Sequence, residues 1–346
     1  MRTSKSEDNF KIHKTMLYGL LTYDENKKFF NVGDNIQSLA ARQFLPKVDT
    51  LLNRERLADY KGDKIKVIMN GWFTHNIHNW VPAENIDPLF VSFHINNTAA
   101  PHMLTQKGIA YLKKHEPIGC RDQFSADTLQ AKGIDAYFTG CLTLTLDSYK
   151  VDDSERGDDI YIVDPLYSYP TWEKVTYHTK RFLRSIQNGS LFELGKMKKH
   201  VGNFIAEDLI KSATWINQEP PAGKYTDEEK FAMAEDLLHK YAKAKLVITS
   251  RIHCALPCLA MGTPVIFVNG FDSFVDSCRF DGILELFNRI DVDSKTGKFS
   301  SNFGLEGKIT KDTIVKNLEK HHALAEPLKA KCRAFVKAGI PENQSA

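Results

Sequence analysis

The chain has 346 residues, of which 42% are hydrophobic and 26% are charged, and its formal net charge is +3. This composition is typical of a globular protein, and the length favours two domains of roughly 150 residues each. The small net charge gives no argument for a nucleic-acid partner, and six cysteines are too few for a disulfide framework in a chain of this length. We therefore expect reduced thiols and no nucleic-acid binding.

No segment of the sequence predicts insertion into a membrane. The first 14 residues are polar and charged and lack the apolar region of a secretion signal. The longest apolar stretch, residues 255–268, is interrupted by Pro257, Gly262 and Pro264, so it cannot cross a bilayer as a helix. These features favour a cytoplasmic protein and leave open a peripheral contact with the inner face of the membrane.

Short apolar runs alternate with helical patterns along most of the chain. The runs predict strands over residues 15–21, 66–69, 89–93, 136–138, 160–163, 246–249 and 265–268. Apolar spacing and capping residues predict helices over residues 34–45, 125–132 and 227–245, and one or two helices over 310–338 that break before Pro327. This alternation predicts an α/β protein with parallel sheets.

The segment 147–159 divides the pattern. It carries six acidic and only two basic residues and shows no apolar periodicity, and a strand-like run starts directly after it. We interpret it as a linker between two Rossmann-like domains, residues 13–150 and residues 159–338.

The first motif, Asn31-Val32-Gly33-Asp34-Asn35, lies between the first predicted strand and the first helix. Gly33 would let the backbone approach a ligand, and Asp34 is a natural N-cap. On local grounds the ordinary role, in which Asp34 only caps the helix, is favoured. No GxGxxG pattern is present, so a dinucleotide site has little support.

Two aromatic segments fit the recognition of a sugar. Residues 71–80 contain Trp72, His75 and His78, and a second segment contains Tyr167, Tyr169 and Trp172. We assign Trp72, His75 and Trp172 to the acceptor, although packing between domains explains such clusters equally well. The spacing of His75 and His78 would suit a metal ion, but no Cys, Asp or Glu cluster accompanies them, so we predict no metal.

A second motif, Ile118-Gly119-Cys120-Arg121-Asp122, reads as a strand end that enters a helix. Arg121 would place a cation at the ligand edge of the first domain, whereas the commoner role of an arginine is a surface ion pair. The third motif begins Thr139-Gly140, and we expect Gly140 to serve the backbone conformation.

Basic residues gather between residues 174 and 200, at Lys180, Arg181, Arg184, Lys196, Lys198 and Lys199. Such a run is usually a solvated face. The alternative is a surface for an anionic glycan or a lipid-linked acceptor.

The most informative segment is residues 245–268, which reads as strand, loop, helix, turn and strand, with Gly262 ending the helix. Ligands of parallel sheets bind beyond the carboxyl ends of strands, where Arg251 and His253 lie. Arg251 can hold a phosphate or carboxylate, and His253 can move a proton. The alternative is that Arg251 pairs with a structural carboxylate and His253 merely caps the helix.

Four motifs, taken in order, resemble those of the polysaccharide pyruvyl transferase family. The resemblance runs from about residue 15 to about residue 320 and rests on Asn31-Val32-Gly33-Asp34-Asn35, Gly119-Cys120-Arg121-Asp122 followed by Ser125, Thr139-Gly140-Cys141-Leu142-Thr143-Leu144, and Thr249-Ser250-Arg251-Ile252-His253 with Ala260-Met261-Gly262-Thr263-Pro264-Val265. Two positions depart from the family pattern. Ile252 replaces the leucine of a Ser-Arg-Leu-His signature, and Leu142 stands where many members have proline.

The resemblance implies two α/β domains that face each other across a cleft (the GT-B type), with the acceptor side in the first domain and the donor side in the second. It implies transfer of pyruvate from phosphoenolpyruvate to two sugar hydroxyls, forming a ketal without a cofactor. The acceptor would be a bacterial-type surface polysaccharide (an exopolysaccharide or a capsule) or its lipid-linked precursor.

Residue roles follow where the motifs match. Arg251, Arg121, Ser250 and Gly33 would bind the donor. His253 would be the general acid or base, and Asp34 would orient His253 or the acceptor hydroxyl, so these two are the expected catalytic residues.

Two other functions fit the same sequence. A nucleotide-sugar glycosyltransferase of the GT-B type would also hold a diphosphate with Arg or His at strand ends. A non-catalytic glycan-binding protein of a polysaccharide assembly complex would use the aromatic segments and leave the Arg251–His253 pair unexplained.

Overall fold

The computed structural model describes residues 16–23, 29–72, 76–176, 182–183, 186–187, 190–221, 223, 225–271 and 277–338. Within these ranges the chain forms two six-stranded sheets flanked by helices. Both sheets are dominated by parallel pairs, which confirms the predicted α/β class.

The first sheet is built from the first six strands, in the order β2-β1-β3-β4-β5-β6, and every neighbouring pair is parallel. Its strands are β1 Leu17–Thr22, β2 Thr50–Asn53, β3 Ile65–Trp72, β4 Ile86–His94, β5 Ile118–Cys120 and β6 Ala136–Phe138. Because all of them run in one direction, the loops that follow them collect at a single edge of the sheet.

The second sheet has the order β12-β11-β10-β9-β7-β8, and only the pair of β11 and β12 is antiparallel. Its strands are β7 Ile160–Val163, β8 Thr214–Ile216, β9 Leu246–Thr249, β10 Val265–Asn269, β11 Asn288–Val292 and β12 Phe299–Ser301. The central strands β9 and β10 are almost wholly buried apolar runs, as expected for a parallel sheet covered on both faces.

Ten α-helices have both of their ends within the described residues. They are α1 Val32–Arg42, α2 Ala100–Met103, α3 Gln106–Lys113, α4 Gln123–Gln130, α5 Trp172–Thr176, α6 Lys196–Phe204, α7 Glu207–Ser212, α8 Asp227–Ala242, α9 Ile252–Met261 and α10 His322–Lys337. The predicted end of the helix at Gly262 is confirmed, and a capping box defines the start of α8. Thr226 forms a capping box with Glu229 at the start of α8, and Gly262 ends α9 at a φ of +72°.

The prediction for residues 310–338 was wrong in two respects. Residues 310–318 are not helical, and α10 runs through Pro327 without a break. Proline leaves the carbonyl of Ala323 without its usual N–H donor, which disfavours the helix. Tertiary packing outweighs this cost, because α10 buries Leu328, Cys332 and Val336 on one face.

Short strands β2, β8, β11 and β12 were missed by the sequence patterns. Three of them, β2, β8 and β12, are edge strands whose side chains are mostly exposed or half-buried, so they lack a continuous apolar run. The alternation in β11 carries the period-2 signal of a strand, but over only five residues.

One apolar core joins the helices of the two halves. Ile36 and Leu39 of α1 belong to the same buried cluster as Leu238 and Tyr241 of α8 and the apolar face of α9. An ion pair between Arg42 and Glu235 ties the same helices at the surface. The helix layer between the sheets is therefore shared, while the division at 147–159 stays a prediction.

The last helix returns to the first sheet. The Tyr18 hydroxyl donates to the carbonyl of Val336 at 3.1 Å, and Nζ of Lys66 donates to the carbonyl of Phe335 at 2.7 Å. Residues from opposite ends of the chain thus form one packing unit. Among the described helices, none combines the length and apolar character needed to cross a bilayer.

Replacing Leu328 with alanine should lower the free energy of unfolding by about 2–5 kcal/mol, because this side chain is 1% exposed and its loss leaves a cavity between α10 and the shared core. Urea denaturation would measure the change. The exposed neighbour Arg333→Ala is the control, for which a change within about 0.5 kcal/mol is expected. Equal effects of both substitutions would contradict this packing role.

Candidate active site

The N-termini of α1 and α9 meet between the two sheets. Gly33, in the first turn of α1, lies so close to α9 that a Cβ atom there would be 3.1 Å from the Cβ of His253 and 3.2 Å from its Nδ1. The first and last predicted motifs are therefore in contact, although 220 positions separate Gly33 from His253 in the sequence. Gly33 is needed for this close approach.

Asp34 is not the N-cap of α1, so that prediction was wrong. Asn31 is the cap, and its Oδ1 accepts the N–H of Gly33 at 3.0 Å. Asp34 lies in the first turn, where its Oδ1 accepts hydrogen bonds from Asn31 Nδ2 and Gln37 Nε2, each at 3.2 Å. No hydrogen bond joins Asp34 to His253 within the described residues, but its negative charge acts on Arg121.

Arg121 follows β5 directly and is 1% exposed. Its Nε and Nη2 have no hydrogen-bond partner among the described residues, and its nearest carboxylate oxygen is Oδ2 of Asp122, 3.6 Å from Nε. Burial lowers the pKa of the guanidinium, and the nearby Arg279 lowers it further. A buried cation with unused donors is costly, and an anionic ligand would relieve that cost.

His94 is the last residue of β4, and its Nδ1 lies 2.5 Å from Oδ2 of Asp122. Asp122 caps α4 by accepting the N–H of Ser125 at 2.9 Å and the Ser125 hydroxyl at 2.7 Å. Burial and the charge of Arg121 lower the pKa of His94 to about 4, despite Asp122. His94 is therefore neutral at neutral pH, with its Nδ1 side fixed by the carboxylate.

His253 is the second residue of α9. The N-cap of this helix is Arg251, whose side chain makes no capping hydrogen bond. The Nε2 of His253 is buried without a partner among the described residues. Burial lowers the pKa of His253 well below its ordinary value, and Arg121, Arg279 and Arg251 add to the shift. The ring is neutral and sits among cations, so it does not act merely as a cap.

Arg279 belongs to the site but was missed by sequence reasoning. It lies in a short 3₁₀ helix, Ser277–Phe280, that packs against the start of α4, where the N–H of Gln123 donates to the carbonyl of Asp281 at 3.1 Å. Its charge lowers the pKa of both His94 and His253. No strand end or glycine motif marks this arginine in the sequence, so only the tertiary fold identifies it.

Arg251 is held by two carboxylates. Its Nε donates to Oδ2 of Asp164 at 2.9 Å, and its Nη1 and Nη2 lie 3.1 and 3.0 Å from the two carboxylate oxygens of Glu219. The guanidinium also stacks on the Tyr167 ring, 4.0 Å from its centroid. These partners raise the pKa of Arg251, against the effect of burial, so its charge is locked in place.

The carboxylates around Arg251 also connect the two halves. Asp164 accepts the N–H of Gln218 at 2.9 Å, and the carbonyl of Gln218 accepts the N–H of Val32, the first residue of α1. Arg251 thus stabilises the segment on which α1 begins.

Ser250 is fully buried and its hydroxyl is engaged in the framework. It donates to the carbonyl of Val268 at 2.6 Å and accepts the N–H of Leu166 at 2.9 Å. Both Asp164 and Leu166 adopt positive φ values, 43° and 54°, in the turn that Ser250 supports. This turn places the carboxylate of Asp164 within hydrogen-bond distance of Arg251.

Among the residues expected to contact the acceptor, the structure describes the side chain of Trp172 alone. Trp172 begins α5 and is 63% exposed, whereas the side chain of Trp72 and all of His75 lie outside the described residues. Of the basic run, Lys180, Arg181 and Arg184 also lie outside them, while Lys196, Lys198 and Lys199 are on α6. Gly140 has a φ of +71°, which confirms its conformational role.

Metal ligands do not cluster in the described ranges, where no three His, Cys, Asp or Glu side chains are arranged to hold an ion. All six cysteines are free thiols in the structure, and five of them are buried.

The family model for polysaccharide pyruvyl transferase matches residues 31–273, well over half of the chain. The chain therefore belongs to the polysaccharide pyruvyl transferase family, a family of transferases that act in polysaccharide biosynthesis by pyruvyl transfer. The matched range contains Gly33, Arg121, Arg251 and His253 and ends before Arg279.

Other comparisons add less. A solved structure of a functionally uncharacterised protein from Klebsiella pneumoniae is similar over 79% of this chain and 90% of that chain, with 11% sequence identity and a TM-score of 0.41. The comparison with curated proteins found no match.

The buried neutral His94 should make the protein less stable in mild acid. The unfolded chain takes up a proton near the ordinary pKa of 6.5, whereas the folded chain does so only near 4, so the free energy of unfolding falls as the pH drops through this window. The loss attributable to His94 is about 3 kcal/mol at roughly 1.4 kcal/mol per pKa unit.

Urea denaturation between pH 7 and pH 4 would test this, with the variant His94→Asn beside the wild type. Asparagine keeps a donor for Asp122 but does not titrate, so its curve should be flatter. His253 contributes in the same direction in both proteins, since its pKa is also lowered. Parallel curves would show that His94 is not held neutral.

Replacing Arg251 with methionine should lower the free energy of unfolding by about 3 kcal/mol, because Asp164, whose side chain is 14% exposed, loses its partner. Adding Asp164→Asn to this variant should restore part of the loss by removing the carboxylate that has lost its contact with Arg251. Urea denaturation of both variants would measure this. A loss below about 0.5 kcal/mol in Arg251→Met would contradict a framework role.

Proposed function

We propose that this protein transfers the pyruvyl group of phosphoenolpyruvate to two hydroxyls of a sugar in a surface polysaccharide or its precursor, forming a pyruvate ketal. The observation that carries the proposal is the buried guanidinium of Arg121, with two nitrogens lacking partners, beside the neutral imidazole of His253. A doubly anionic donor fits the cations, and a proton-transfer reaction fits the imidazole. The proposal includes the GT-B type arrangement, with the site between the two sheets.

Arg121 and Arg279 are the donor-binding cations in this proposal. Phosphoenolpyruvate carries a phosphate and a carboxylate, and both guanidiniums have a nitrogen without a partner among the described residues. Arginine suits both anions because its parallel N–H groups match their oxygen pairs. Gly33 lets the first turn of α1 approach the same place, where helix N–H groups add positive potential.

In this proposal Arg251 and Ser250 shape the site through contacts with other protein residues and do not contact the donor. Three nitrogens of Arg251 already face Asp164 and Glu219, so its charge contributes to the field at the site while its geometry holds the turn. Ser250 supports that turn. The negative charge of Asp34 offsets part of the positive charge of Arg121. Its hydrogen bonds with Asn31 and Gln37 hold the first turn of α1 in place.

The reaction adds one proton to carbon and removes two from oxygen. His253 takes the proton of the first sugar hydroxyl as that oxygen bonds to C2 of the donor, and delivers a proton to C3, which becomes a methyl group. The C2–oxygen bond to phosphate then breaks, and phosphate leaves with the bonding pair. The second hydroxyl bonds to C2 and loses its proton, which closes the ketal. Proton transfer of this kind commonly contributes about 10²–10⁴ in rate.

The acceptor is assigned only by class. Trp172, with 63% of its side chain surface exposed, offers an aromatic face for a sugar ring, and Trp72 and His75 stay proposed acceptor contacts. The reaction as written needs no cofactor or metal. If the acceptor is a lipid-linked precursor, the proposed enzyme is cytoplasmic and binds peripherally to the inner face of the membrane.

Phosphoenolpyruvate should raise the melting temperature of the wild type more than pyruvate, phosphate or UDP at equal concentration, because only this ligand supplies both anions to the site. Arg121→Met should abolish that shift and ketal formation, because Nε and Nη2 of Arg121 are the donors that the proposal assigns to the ligand. Differential scanning fluorimetry and phosphate release would measure both.

Arg156→Met is the matched control. Arg156 is also largely buried, but it lies at the other end of α9 and donates to the carbonyls of Ala242 and Met261. This variant should be less stable and keep its full response to phosphoenolpyruvate. A larger shift with UDP than with phosphoenolpyruvate would instead make the protein a nucleotide-sugar glycosyltransferase.

A further inference from the structure

The proton balance of the proposed reaction calls for more than one proton-transfer group. A base acts only within hydrogen-bond reach of the atom whose proton it takes, about 2.6–3.2 Å between heavy atoms or through one water. C3 and the two attacking oxygens surround C2 from different directions, so a single imidazole cannot reach all three. His253 takes the proton of the first hydroxyl and delivers a proton to C3. The second hydroxyl is then left without a base.

We infer that His94, held by Asp122, is this second base and takes the proton of the second sugar hydroxyl. The inference rests on the proposed function and adds a catalytic residue from the first half of the chain. As the second hydroxyl oxygen bonds to C2, its proton passes to Nε2 of His94, and phosphate departs from C2.

The contacts of His94 fix the ring for this role. Its Nδ1 lies 2.5 Å from Oδ2 of Asp122 and 3.2 Å from the hydroxyl of Ser125. A neutral ring that donates from Nδ1 carries its lone pair on Nε2. Within the described residues Nε2 has no hydrogen-bond partner, so the basic nitrogen is available to a ligand.

His94 lies next to Arg121, one of the two arginines proposed to bind the donor. It ends β4, and the neighbouring strand β5 leads directly into Arg121. The charges of Arg121 and Arg279 act on His94 and on His253 alike, so the two rings share one pair of cations. The N–H of Arg121 donates to the carbonyl of Phe93 at 2.8 Å, directly before His94, so a donor bound by Arg121 would lie near that ring.

The two histidines differ in what happens after they take a proton. The imidazolium of His94 is stabilised by Asp122, the arrangement that supports a histidine base in hydrolases. The groups that dominate the pKa of His253 are burial, three arginines and His94, with no carboxylate among them. Burial lowers the pKa of both rings, but only His94 has a carboxylate against it, so protonated His253 is the stronger acid and His94 is the better proton acceptor of the two.

His94→Asn separates this role from a structural one, because asparagine keeps a donor near Nδ1 for Asp122 and lacks Nε2. The variant is incubated in D₂O with phosphoenolpyruvate and methyl hexopyranosides that carry two free hydroxyls. Deuterium at C3 of recovered phosphoenolpyruvate reports the first addition. Ketal formation and phosphate release report the second.

Deuterium incorporation should persist in His94→Asn while ketal formation falls by about 10²–10⁴. The wild type should behave in the same way when one acceptor hydroxyl is methylated. His253→Asn should lose both signals. The control is His200→Asn, which alters another buried histidine whose Nδ1 has a partner, the Tyr169 hydroxyl at 3.1 Å, away from the site arginines. It should keep both.

Near-normal ketal formation in His94→Asn would overturn the inference, as would parallel loss of deuterium incorporation and ketal formation in that variant. Either result leaves the proposed function intact if the wild type forms the ketal. A wild type that releases no phosphate with any of these acceptors overturns the proposed function itself, and the role of His94 with it.

Discussion

The site depends on the contact between the N-termini of α1 and α9. Gly33 has no side chain, so the first turn of α1 can lie against His253. The shared core of α1, α8 and α9 holds the two helices at this distance, and the ion pairs of Arg251 anchor the segment from which α1 starts. Without that contact, the histidine and the cations of the first half would belong to separate surfaces.

Charge is arranged around this contact in two layers. Arg251 is neutralised by Asp164 and Glu219 and stacks on Tyr167, so it is a fixed part of the framework. Arg121 and Arg279 keep unused donors, and burial leaves them little water to satisfy these donors. Arg121 and Arg279 are therefore the cations that an anionic substrate would pair with, because some of their N–H donors are unused.

The sequence predicted the parts of the fold and site that local patterns encode. Buried parallel strands such as β9 and β10 appear as apolar runs, and Gly262 marks the end of α9. Arg121 was found because it follows β5 directly, and His253 because it begins the helix that follows β9. Arg279 follows no strand, and the pairing of Arg251 with Glu219 joins residues that local spacing does not connect. Pro327 misled the prediction because packing of α10 outweighs a local penalty.

The return of α10 to the first sheet has a consequence for synthesis of the chain. Strands β1 to β6 are complete once residue 138 has left the ribosome, but the helix that accepts hydrogen bonds from Tyr18 and Lys66 comes roughly 200 residues later. Because translation adds roughly 5–20 residues per second, α10 is synthesised on the order of 10–40 s after the last strand of this sheet. During that interval the nascent chain exposes apolar surface, which makes the first half a natural client for chaperones that bind near the ribosome exit.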